Sequence, residues 1–245
     1  MFDEKLQNTI NKIKQSSNQE EDFKKDFFGE VNPQPQTAFL DWRFRNYDTV
    51  DQFITMGGSY FESQYETIWR LLMNTKDHRA DGWIFPIMFC TVHGIEVYLK
   101  GALAGLKRIV ATQSGTPHEV SIRKGHDIRD IYREVKAELK KADINDKSFG
   151  FKDLSKEIRL VGNFIDFIYD KTEDLSAFRY SLDSSKRMQF YSVDLDDKDE
   201  PMGHITIDLF KFFIWYTKVH DLLDKLGTAV TVYTEKLYDS QLDNS

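Results

Sequence analysis

A chain of 245 residues with only five prolines and 13 glycines is not a many-turned β protein, and its formal net charge of −7 argues against indiscriminate nucleic-acid binding. Hydrophobic residues at 40% and charged residues at 30% allow a sizeable core and exclude wholesale disorder, and 19 Phe and 11 Tyr make that core bulky. One cysteine, Cys90, excludes an internal disulfide and a cysteine-rich zinc site, and its apolar surroundings read as core.

The first 15 residues, MFDEKLQNTINKIKQ, contain no apolar signal core. The longest apolar stretches are interrupted short of membrane-spanning length, so a cytoplasmic protein with no membrane partner is expected. Residues 3–15 carry Leu6, Ile10 and Ile13 at spacings of four and three, which predicts a short amphipathic helix that must dock to be stable. SSNQEEDFKKD and VNPQPQ follow as linker. The expected division is therefore 1–37, an N-terminal helix and linker, and 38–245, the main domain.

Helix one is predicted from Asp48 to Asn74, with Asp48 or Thr49 as cap and a kink or close helix contact at Gly57-Gly58. Helix two, Ile84 to Leu106, has the clearest pattern. Phe85, Met88, Val92, Ile95, Leu99, Ala102 and Leu106 alternate spacings of three and four, with Pro86 in the first turn. Gly94, Gly101 and Gly105 form a second face, which invites another backbone from the same domain or from a dimer partner. Residues 107–125 read as a polar loop. Helix three is predicted over Asp127–Lys141, with Ile128, Ile131, Val135 and Leu139 inward, and helix four over Lys152–Tyr169. MQFYSVDL and GHITIDL suggest a short β-hairpin, and the last long helix starts near Ile207 and runs toward Leu237. The fold class is thus all-α: a bundle of about five long helices, with a short hairpin before the last.

Three segments, in this order, carry a family resemblance: PIMFCTVHGIEVYLKGAL, with a His-x-x-Glu-x-x-x-Lys pattern, then KGHDIRDIY, then LSAFRYSLD. Together they resemble the HEPN-like (higher eukaryotes and prokaryotes nucleotide-binding) helical superfamily over roughly Val50 to Leu226. The resemblance implies a bundle that often dimerises. It also implies either an RNase or toxin of a bacterial defence system, or a non-catalytic RNA-binding or protein-interaction module. The RNase members carry Arg, four to six residues, then His. None of the six histidines here has that arginine: seven residues separate Arg70 from His78, and two separate Arg123 from His126.

Chemistry-bearing residues gather on helix two. His93, Glu96 and Lys100 at i, i+3 and i+7 form one polar line: a proton shuttle, an acceptor or base, and a phosphate-directed cation. The structural alternative is an ion-pair network, with Glu96 neutralised by Lys100 or by Arg179 of the Phe-Arg-Tyr segment. His126 is a candidate titratable group facing this line, while Asp127 reads as a helix cap. Arg129, Arg133, Lys136 and Lys140 recur at four, three and four, forming a basic line for RNA or a solvated face with pairs such as Asp130–Arg133. No metal motif, phosphate-cradling loop or cofactor motif is present, so RNA, a second copy or a protein partner are the expected ligands.

Overall fold

The computed structural model describes residues 47–74, 78–116, 119–142, 144, 154–172, 178 and 206–242, and positions 4, 7, 8, 11, 12 and 38. The chain divides into two units, 1–45 and 46–245. In the first, positions 4, 7, 8, 11 and 12 are helical, whereas Leu6, Ile10 and Ile13 lie outside the described residues. The second is mostly helical, and no strand occurs among its described residues.

Helix α1 (Thr49–Met73) starts where a carboxylate can satisfy its free N–H groups: Asp48 Oδ1 accepts from the Asp51 N–H at 3.0 Å. Gly57 marks a close helix contact. A Cβ built there would lie 2.8 Å from Tyr98 Cβ, whereas at Gly58 it would meet nothing within 4 Å.

Helix α2 (Arg79–Gln113) runs past both expected ends. Pro86 is therefore inside the helix and not in its first turn. Lacking an N–H, it cannot bond the carbonyl of Gly82, and this solvent-facing end tolerates the loss. Phe85, expected in the core stripe, is exposed, and burial begins at Ile87. Residues 107–113, expected as loop, continue the helix because one side still packs: Ile109 is buried and the Gln113 side chain donates to Ala142 O at 3.0 Å. The turn comes at Gly115, whose φ of 66° favours glycine.

From Thr91 to Leu106 every residue of α2 except His93 is buried. This helix is long and apolar enough to cross a membrane, but it is the central rod of the domain, packed against α1 and the helices that follow. Its glycine face is used internally. A Cβ at Gly101 would lie 2.9 Å from Phe53 Cβ and 3.0 Å from Ile54 N, Gly94 likewise abuts α1 at Tyr60, and Gly105 meets Val230 of the last helix before Val50 of α1. The glycines therefore seat α1 and, at Gly105, the last helix, and are not open to a second copy.

Helix α3 (Ile128–Ala142) is capped by Asp127, whose Oδ1 accepts from the N–H groups of Arg129 (2.9 Å) and Asp130 (3.1 Å). The expected fourth helix is broken into α4 (Leu154–Glu157) and α5 (Arg159–Tyr169). At the break, Ile158 O accepts from the Tyr132 hydroxyl (3.1 Å), the Val161 N–H (3.0 Å) and, less closely, the Gly162 N–H (3.4 Å), so the turn tightens locally. Leu154, Ile158, Val161, Ile165 and Ile168 all reach the core.

Helix α6 (Leu209–Leu242) is continuous, with Asp208 Oδ1 accepting from Lys211 N–H at 3.0 Å. Thr206–Asp208 are not strand and Leu209 is helical, so the end of the expected hairpin's second arm is absent; the rest lies outside the described residues. Phe212, Tyr216, Val219, Leu223 and Leu226 are buried, and the Tyr216 hydroxyl donates to Phe61 O on α1.

Candidate functional site

Glu96 sits in the buried stretch of α2, 8% exposed, where an unpaired carboxylate would be costly. It is paired. Lys100, one turn along the same helix and also 8% exposed, places Nζ 2.8 Å from Glu96 Oε1. His126 approaches from the segment before α3, with Nδ1 2.8 Å from the same oxygen. Burial pushes the Glu96 carboxyl up. The hydrogen bonds and positive charges of Lys100 and His126 outweigh that and hold it below the ordinary glutamate value.

Local backbone places His126. Gly125 adopts φ 91°, a conformation that favours glycine, and Asp127 fixes the start of α3 immediately after. The imidazole is 84% exposed even though Nδ1 touches a buried carboxylate. When the ring is neutral with Nδ1–H donated to Glu96, Nε2 turns its lone pair toward solvent. A second imidazole is close by: His93 Nδ1 lies 3.7 Å from Glu96 Oε2. Its ring meets Tyr60 edge-on at 4.9 Å and lies parallel to Phe89 at 6.0 Å.

No family model, curated protein or solved structure matches this chain. The site must therefore be read from its own geometry. His93, Glu96, Lys100 and His126 come together, and Arg179 lies outside the described residues. Lys100 is a buried partner of Glu96, so its ammonium is committed and does not face solvent as a phosphate-directed cation would. Among the described residues, no three His, Cys, Asp or Glu side chains group to hold a metal ion.

The basic line on α3 divides into two halves. Arg129 Nε lies 3.1 Å from Asp166 Oδ1 of α5, with its guanidinium 4.2 Å from the Tyr169 ring centroid. Arg133 pairs with Asp130 at 2.6 Å. Lys136 and Lys140, like Lys124 beside His126, form no ion pair among the described residues. Glu134 bridges Arg123 (2.6 Å) and Lys107 (3.3 Å), tying the His126 segment to α2 and α3. Sequence reasoning missed this tie and the Tyr60–His93 contact. Both join residues too far apart in the chain for any helical spacing to connect them.

Proposed function

We propose that this chain is a HEPN-like, RNA-directed protein that cleaves RNA through a Glu96–His126 carboxylate–imidazole pair, in a cytoplasmic defence or toxin-antitoxin role. The observation that carries this reading is the 2.8 Å contact from a buried carboxylate to an imidazole otherwise open to solvent. A carboxylate on Nδ1 fixes the tautomer and supports the imidazolium formed when Nε2 takes a proton. In this reading His126 Nε2 removes the proton of a ribose 2′-hydroxyl, whose oxygen attacks the adjacent phosphorus. The bond from phosphorus to the 5′-oxygen breaks, and protonated His93 gives that oxygen its proton. The products are a 2′,3′-cyclic phosphate and a 5′-hydroxyl.

Among the described residues, Lys124, Lys136 and Lys140 are unpaired cations of this segment that can meet the phosphate backbone, so RNA affinity falls steeply with salt. Arg129 and Arg133 contribute less because they are already paired. The test is incubation of the full chain with total RNA and tRNA beside His126→Ala. Cleavage in the wild type that is lost in the variant supports the reading, and intact RNA in both removes it.

A second reading is a non-catalytic helical interaction module. It is favoured by the commitment of Lys100, Arg129 and Arg133 to ion pairs. RNA binding without cleavage, or no RNA binding, selects it.

A further inference from the structure

Between α5 and α6 lies a cavity of about 390 Å³. That is far larger than the voids of a packed interior and falls in the range of about 300–1,000 Å³ usual for small-molecule sites. Its inner end is buried and apolar: Met88 of α2, Phe164 and Ile168 of α5 and Phe212 of α6 are each no more than 8% exposed. The Phe164 and Phe212 rings lie 6.4 Å apart, tilted by 36°. The outer walls are aromatic as well, with Phe167 on α5 and Trp215 on α6 both partly open to solvent. Rings contributed from two helices suit a flat ring system held between them in offset or edge contact.

The charges at the rim offset each other. Asp208 Oδ1 accepts from the Lys211 N–H, and Asp208 Oδ2 lies 3.7 Å from Lys211 Nζ. One anion beside one cation favours neither sign of charge in a guest. Among the described lining residues, the other polar side chains are Asn163 and Thr206, both exposed and both neutral hydrogen-bonding groups. We propose that this cavity is a binding site for a small, uncharged aromatic molecule that carries one hydrogen-bonding group. A nucleotide does not suit it, because its phosphates would meet Asp208 with Lys211 already offset. None of the lining residues belongs to the Glu96–His126 site, so the two readings fail separately.

Fluorescence titration of the full chain tests it, with N-phenylnaphthylamine as the neutral probe and anilinonaphthalene sulfonate as the same skeleton with a negative charge. The neutral probe is expected to bind at least about tenfold more tightly than the sulfonate, and adenosine monophosphate is expected not to displace it. Asn163→Trp, at an exposed position on the rim, fills the mouth and is expected to weaken binding by at least about tenfold with helical circular dichroism kept. Phe167→Asp, which sets a carboxylate on the wall, is expected to act in the same direction. Trp215→Phe keeps the wall apolar, so affinity is expected to stay within about threefold while energy transfer from tryptophan to the probe falls. No binding of the neutral probe overturns the proposal, whatever then fills the cavity. Equal binding of the sulfonate, displacement by the nucleotide, undiminished energy transfer in Trp215→Phe, or binding that survives both Asn163→Trp and Phe167→Asp also overturns it.

Discussion

Glu96 does two jobs that pull in different directions. It neutralises Lys100 inside the bundle and holds His126 at the surface. Glu96→Ala strands a buried ammonium, so it should destabilise the fold by about 3 kcal/mol in urea unfolding, far more than an exposed charge change. Adding Lys100→Met removes the stranded charge and should recover most of that loss; an equally unstable double variant would show that the pair is not the cause. The pH dependence follows from the same contact. The folded-state pKa of Glu96 lies below its ordinary value of 4.5, so its contribution is complete above that value and fades as pH falls through the lower one. Glu134, held down by Arg123 and Lys107, acts in the same sense. Wild-type stability should therefore drop on acidification below about pH 4.5, and the gap between wild type and Glu96→Gln should narrow there. A gap that stays constant with pH would contradict the assigned shift. The His93–Glu96–Lys100 line was legible from helical spacing alone. The Glu96–Lys100 pair was legible in the same way, as an i,i+4 spacing realised at 2.8 Å, whereas Arg179, the other partner considered, lies outside the described residues.

At the scale of elements, α2 organises the bundle because it is buried on nearly every side and small where α1 crosses it. The adjacent glycines of α1 give a sharp comparison. Gly57→Ala would set a Cβ 2.9 Å from the Tyr98 backbone and should cost about 1–3 kcal/mol through overpacking. Gly58→Ala meets nothing and should gain about 0.5–1 kcal/mol from helix propensity. Thermal unfolding of both variants separates the two effects, and equal shifts would mean the helices are not in contact there. Periodicity located α1, α3 and the central part of α2, because one wet face and one dry face leave a clear pattern. It placed the ends of α2 poorly. Its exposed first turns carry Trp83 and Phe85, which look like core, and its last turns carry Lys107 and Arg108, which look like loop. The tightened turn at Ile158 had no local signal: the Tyr132 hydroxyl that bonds its carbonyl comes from another helix.

At the scale of the whole molecule, surface and site face different tasks. The apolar end of α6 and α1 is exposed, while the proposed RNA site draws on the His126 segment and the unpaired lysines of α3. Net charge hid the second of these. An overall −7 conceals a Lys100–Lys141 stretch with ten cations against five anions, and the fold then spends several of those cations on ion pairs. The central claim is that His126, oriented by Glu96, works on a ribose 2′-hydroxyl. The most direct measurement uses a DNA oligonucleotide carrying a single ribonucleotide, incubated with the full chain in a chelator. The account predicts one cut immediately 3′ of the ribose that leaves a cyclic phosphate, no cut when the 2′-hydroxyl is methylated, and a loss of at least about 100-fold in His126→Ala assayed under conditions where its helical circular dichroism matches the wild type. An intact oligonucleotide, or a cut that survives either the methylation or the substitution, would contradict it.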